Sequence, residues 1–202
     1  MNTVDQKRNK GFTLVEALVA ISVLMVAVVS PITIAQKGLS SALFSKDQMI
    51  ASFLAQDTIE FIKGIRDDNV KGDFEWLSGL TDCVQPGGIK SAIKTFCIVD
   101  SITVGGIEKA DSNNAYLYMH SSLNAEGEEV FVYYTHEDIG NEKSKFKRIV
   151  NIRQNGTRDE ALITVIVSWG GARSADNNVI VKAFIYNFGE SAVGSEPVKE
   201  TI

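Results

Sequence analysis

Lys7-Arg8-Asn9-Lys10-Gly11-Phe12-Thr13-Leu14-Val15-Glu16 stands directly before an uncharged, mostly apolar run from Ala17 to Gln36. A membrane span needs roughly 20 predominantly apolar residues, and the stretch from Phe12 to Gln36 meets that length even with Ser22, Ser30 and Thr33 inside it. Glu16 is the exception. An intramembrane carboxylate costs about 2.5 to 3.5 kcal/mol on insertion scales, so it marks a functional position that needs a partner. Lys7, Arg8 and Lys10 outweigh Asp5 ahead of the span. The positive-inside rule then holds the leader in the cytoplasm and sends the remainder across the membrane.

Gly11-Phe12-Thr13-Leu14-Val15-Glu16 behind a short basic leader resembles the processing site of type IV prepilins and the related pseudopilins. The resemblance implies cleavage between Gly11 and Phe12 by a prepilin peptidase/methyltransferase, with N-methylation at Phe12. It also implies that Glu16 meets the N-terminal amine of a neighbouring subunit during assembly. Other pilins or pseudopilins, assembly platform proteins and the cytoplasmic membrane are the partners expected on this reading. Two plainer readings compete. A secretory signal peptide carries an apolar core of about 7 to 15 residues and ends at a small-residue cleavage site, whereas this run is longer and offers only weak small-residue pairs. A plain signal anchor leaves both Glu16 and the glycine-aromatic junction without a role.

Loss of residues 1–11 removes Lys7, Arg8 and Lys10 together with Asp5, taking the formal charge from −5 to −7. An acidic product of this kind argues against nucleic acid as a partner through its overall field. About 165 residues follow the span, enough for one soluble domain. The expected division is leader 1–11, transmembrane and assembly helix 12–36, amphipathic helix continuation 37–66, and a loop and β-sheet domain 67–202.

Leu39, Leu43, Ile50, Leu54, Phe61 and Ile65 fall near one helical stripe, with Phe53 and Ile62 beside it. One helix from about Phe12 to Arg66, roughly 80 Å at 1.5 Å per residue, is the simplest account, with Pro31 as its expected kink. From Asp67 onward the pattern becomes strand-like. Asp67-Asp68-Asn69, Gly72, Gly79 and Pro86-Gly87-Gly88 read as a loop, plugged by Phe74-Glu75-Trp76-Leu77. Strands are expected at 96–104, 115–120, 129–135, 146–153, 162–169 and 179–188. In the fifth of these, Ile163, Val165, Val167 and Trp169 alternate with Leu162, Thr164, Ile166 and Ser168. Turns are read at Gly105-Gly106, Asn124 to Gly127, Gly140-Asn141, Asn155-Gly156 and Gly170-Gly171. The fold class is therefore α+β, a long N-terminal helix packed on an antiparallel sheet, which the prepilin resemblance implies as well. Leu54 to Glu60 and Thr164 to Trp169 also look like the pilus-modification minor pilins and the minor type II secretion pseudopilins.

Cys83 and Cys97 are the chain's two cysteines. In an oxidising compartment a bridge between them closes a loop of about 15 residues, worth roughly 3 kcal/mol in the chain-entropy model; two free or buried thiols are the alternative. No catalytic constellation or cofactor motif emerges. His120 and His136 lack metal or triad spacing and read as polar strand-end residues. Ser40-Ser41 and Ser121-Ser122 lack the glycine flanks of a nucleophile elbow. Asp67, Asp68, Asn69 and Asp73 lack the regular calcium-loop series and read as a solvated helix terminus. Asp111-Ser112-Asn113-Asn114 and Asp176-Asn177-Asn178 read as turns, and the match of Asn155-Gly156-Thr157 to a glycosylation site as accidental. Lys143, Lys145, Lys147 and Arg148 form the one candidate basic cluster, more simply a solvated loop and strand. A membrane-anchored binding domain at a filament tip, adhesin-like or for DNA uptake, is the alternative function.

Overall fold

An α-helix of 58 residues, α1 (Leu14–Lys71), is the first described element, and a seven-stranded sheet follows it. The computed structural model describes residues 11, 13–85, 95–102, 106–111, 113–138, 140–170 and 177–188. Phe12, Pro86-Gly87-Gly88, Gly105, Ser112, Gly171 and Asp176, all singled out in the sequence, lie outside the described residues. Two compact units divide the chain at Lys46 and Asp47, so the last part of α1 belongs with the sheet.

Helix α1 continues past Arg66, and Asp67-Asp68-Asn69 are helical where a loop was expected. Its end explains the difference. The Asp73 amide donates to the Val70 carbonyl (3.4 Å) and the Phe74 amide to the Asn69 carbonyl (2.9 Å). Asp73 is left-handed at φ 55°. This is a Schellman closure with Asp, in place of the usual glycine, at the left-handed position. Gly72 sits one residue earlier, where an added Cβ would come within 2.8 Å of the Phe74 ring. Asn69 then donates its side-chain amide to the carbonyls of Trp76 and Ser78, tying down the next turn. Trp76 and Leu77 are buried there as expected, whereas Phe74 is exposed.

The strands are β1 (Cys97–Val99), β2 (Ile107–Lys109), β3 (Tyr116–Leu123), β4 (Glu129–Thr135), β5 (Glu142–Gln154), β6 (Glu160–Trp169) and β7 (Asn177–Tyr186). All ladders are antiparallel. Strand β2 was not anticipated, being three residues with two charges. Asn177 and Asn178 open β7 where a turn was read. Strand β5 is central: β6 lies along one side, while β3 and β1 share the other. Strands β7, β4 and β2 are outermost, on β6, β3 and β1 respectively.

One face of this sheet is packed. Phe146, Val150 and Ile152 of β5 lie opposite Trp169, Val165 and Ile163 of β6, and all are buried. The β6 alternation read from sequence is borne out. Against this face α1 buries Ala51, Leu54, Ala55, Thr58, Ile59 and Ile62. That stripe is rotated from the expected one: Phe53 is 64% exposed, and Ala51 and Ala55 are at the centre. Small side chains there let the helix backbone come within reach of the sheet's side chains, an advantage that counting large apolar residues overlooks.

Cys83, in a 3-10 turn over Thr81–Cys83, is disulfide-bonded to Cys97 of β1, with Cα atoms 4.9 Å apart. Both are fully buried. The same segment is held to the sheet by the Gln85 amide, which donates to the Ile152 carbonyl at 2.8 Å.

Candidate functional site

Thr13 precedes the first helical residue, and its Oγ1 accepts the Glu16 amide at 3.3 Å. Thr13-Leu14-Val15-Glu16 is thus the Ser/Thr-x-x-Glu pattern of a capping box. Sequence reasoning assigned Glu16 to assembly and missed Thr13 as the N-cap. The Glu16 carboxylate itself has no salt bridge or side-chain hydrogen bond among the described residues. Gly11 is exposed, and nothing lies within 4 Å of a Cβ placed there. No packing within the described residues demands glycine at 11.

Helix α1 is long and apolar enough to cross a membrane. Its polar residues are accommodated locally: the hydroxyls of Ser22, Ser30 and Thr33 donate to the carbonyls of Leu18, Val26 and Val29. No hydroxyl proton in this stretch is left to face hydrocarbon alone. Pro31 cannot donate to the Ala27 carbonyl, yet the helix is unbroken across it. Leu18, Val19, Leu24 and Val28 are all more than half exposed. A helix segment apolar on all sides suits surroundings of lipid or other helices.

The second group of chemically distinctive residues lies in the sheet domain. Arg148 of β5 is 1% exposed. Its Nη2 donates to the Val99 carbonyl at 2.7 Å, and its Nη1 to the Leu54 carbonyl of α1 at 3.3 Å. The Asp57 carboxylate stands 3.6 Å from Nη1 and accepts the Ser101 hydroxyl at 3.0 Å. Asp100, also buried, accepts the Thr135 hydroxyl (2.6 Å), the His136 amide (2.8 Å) and the Ile102 amide (3.1 Å). Burial opposes its ionisation, but these hydrogen bonds and nearby His136 hold its carboxyl below the usual range. Burial lowers the Arg148 pKa, and Asp57 and Asp100 oppose that shift. His136 faces the Asn114 and Tyr116 carbonyls through Nδ1 at 3.0 and 3.1 Å. Burial, then the Arg148 charge, lowers its pKa to about 4. The ring is therefore neutral at pH 7, with its proton on Nδ1. His136 directly follows β4, at the strand end where it was expected, and is half-buried.

The candidate basic cluster is dispersed. Arg148 points inward, Lys145 pairs with Asp47 at 2.6 Å, and Lys143 and Lys147 lie over the Tyr116 ring at 3.5 and 4.5 Å. Around Asp111, the side chain accepts the amides of Asn113 and Asn114, which makes this segment the turn expected. Among the described residues no His, Cys, Asp and Glu group is arranged to hold a metal.

Residues 6–30 match the prokaryotic N-terminal methylation motif. No curated protein and no solved structure matches the chain. A methylation motif at the head of an apolar helix, with a helix-on-sheet domain behind it, defines a type IV pilin-like precursor, a substrate of prepilin peptidase. In this N-terminal segment the chain is similar to type IV pilins and pseudopilins.

Proposed function

We propose that this chain is a non-catalytic minor pilin or pseudopilin, cut between Gly11 and Phe12, methylated at the new terminus, and assembled through α1 into a type IV pilus or a type II secretion pseudopilus. The observation that carries the reading is the methylation motif over residues 6–30 with Glu16 inside it, in the first turn of the apolar helix. The leader faces the cytoplasm and the sheet domain faces away from it, as the basic residues before the span direct. Residues 1–11 are the leader, 12–36 the spanning segment, and the rest of α1 with the sheet the exported domain. The pilus-modification minor pilins and the minor type II pseudopilins are the subgroups that Leu54 to Glu60 and Thr164 to Trp169 favour.

Assembly uses the cost of an uncompensated charge. A carboxylate among apolar helices is expensive unless a cation meets it, and the amine created at Phe12 of a neighbouring subunit is such a cation. Glu16 then sets the axial register of one helix against the next. Shearing surface filaments from the native host and probing them for this chain tests the reading. Wild type is expected in the filament fraction and Glu16→Ala in the membrane fraction; Glu16→Ala present in filaments at wild-type level overturns the role assigned to Glu16.

A further inference from the structure

Among the described residues strand β4 pairs with β3 alone, and it reads Glu129-Val-Phe-Val-Tyr-Tyr-Thr135, without glycine, proline or lysine. Exposed strand edges are ordinarily guarded by such residues or kept short. The other two outer strands follow that rule: β7 carries Lys182 at its middle, and β2 is three residues with Glu108 and Lys109.

The register of β3 with β4 steps between His120 and Ser121, leaving Val132 as an extra residue. This bulge brings the rings of Phe131 and Tyr134 within 4.8 Å of each other. Together with Ile50, Phe53, Leu54 and Asp57 of α1 they line a groove of about 360 Å³. Phe53 is 64% and Phe131 55% exposed, so the groove presents aromatic surface to solvent. Among the described residues Asp57 is the one charged residue lining it.

Charge narrows the occupant. From Ala110 to Asn141 the sequence has six acids (Asp111, Glu126, Glu128, Glu129, Glu137 and Asp138) and no lysine or arginine. A second copy of this hairpin would place like charges edge to edge, which is destabilising. Nucleic acid and anionic lipid are disfavoured by the same field.

We propose that the free edge of β4 and the groove beside it are a docking surface for an extended, basic segment of another polypeptide. The segment adds to β4 as a strand, through main-chain hydrogen bonds. One of its apolar side chains enters the groove, and its cations face Asp57 and the acidic hairpin. This inference does not depend on filament assembly.

The test uses the full chain in lipid nanodiscs with fluorescein-labelled, capped octapeptides, read by anisotropy. A peptide of alternating valine and lysine is expected to bind at least about tenfold more tightly than one of alternating valine and glutamate. Phe53→Ala and Phe131→Ala each weaken it by about fivefold or more; both side chains are exposed, so the core is undisturbed. Phe184→Ala, on the exposed face of β7, leaves it unchanged. Methylating the backbone nitrogens of alternate residues in the lysine peptide abolishes binding in one of the two registers, as strand addition requires. Equal binding of the two charge types, no binding of either, insensitivity to both α1 and β4 variants, or retained binding by both methylated peptides overturns the proposal. Self-association lost in Phe131→Ala, with no peptide bound, also overturns it and makes a second copy the occupant.

Discussion

Arg148 and Asp57 stand 3.6 Å apart across the boundary between sheet and helix, the guanidinium 1% exposed and the carboxylate side chain 55% exposed. The Asp57 carboxylate is thus only a partial partner for the buried cation. Two backbone carbonyls, of Leu54 and Val99, take the hydrogen bonds that Asp57 does not. Helix α1 and the central strand are therefore joined by directional contacts as well as by apolar packing, which fixes the rotation of the helix on the sheet.

Replacing Arg148 is expected to be costly. Arg148→Ala leaves a cavity and takes the guanidinium donor from the Val99 carbonyl, while the Leu54 carbonyl keeps the Thr58 hydroxyl, and stability in urea should fall by about 3 kcal/mol. Asp57→Asn should cost far less, since its pair is partly solvated. Similar urea midpoints for wild type and Arg148→Ala would show that the guanidinium only fills space.

Acid should weaken the sheet domain before its carboxylates titrate. The His136 pKa is lowered from 6.5 to about 4 on folding, so the unfolded chain binds more protons between those values and stability falls as pH drops. The limiting slope is about 1.4 kcal/mol per pH unit, for about 3 kcal/mol in all. Asp100, whose folded pKa is depressed, adds stability that is present above its unfolded value of 3.8 and lost below it as pH falls through the folded pKa. Urea unfolding from pH 7 to pH 4.5 checks this, and His136→Gln should flatten the slope.

The disulfide contributes through the unfolded chain. Its partners are separated by 14 residues, so Cys83→Ser with Cys97→Ser should lose about 3 kcal/mol. Both cysteines are buried, and reductant should cleave the bond slowly without denaturant. Rapid reduction under native conditions would contradict that burial.

Thr13 and Glu16 can be separated experimentally. Thr13→Val removes a cap worth about 1 kcal/mol and should leave processing and filament incorporation intact. Glu16→Gln keeps a capping-box residue but no charge, and should still insert and be cleaved while failing to incorporate. Immunoblots of membrane and filament fractions distinguish the two, and equal defects would assign Glu16 to capping alone.

What the sequence makes legible follows from periodicity and charge. The apolar run to Gln36, the β6 alternation and the Asn124 to Gly127 turn each carry a local signal, and each is found where it was read. The helix terminus was misplaced because Asp73 takes a left-handed position that glycine usually marks. Ala51 and Ala55 gave too weak a signal to be recognised as the helix's packed centre. Arg148 looked like a surface cation beside three lysines, because its burial depends on carbonyls and carboxylates donated by α1 and by the segment from Val99 to Asp100. No spacing rule joins residues so far apart in the chain.

Intact-mass and N-terminal peptide analysis of the protein from its native host tests the central claim most directly. The account predicts a chain that begins at Phe12 and carries one added methyl group on its amine. A chain retaining residues 1–11, in cells whose prepilin peptidase processes other substrates, would contradict it.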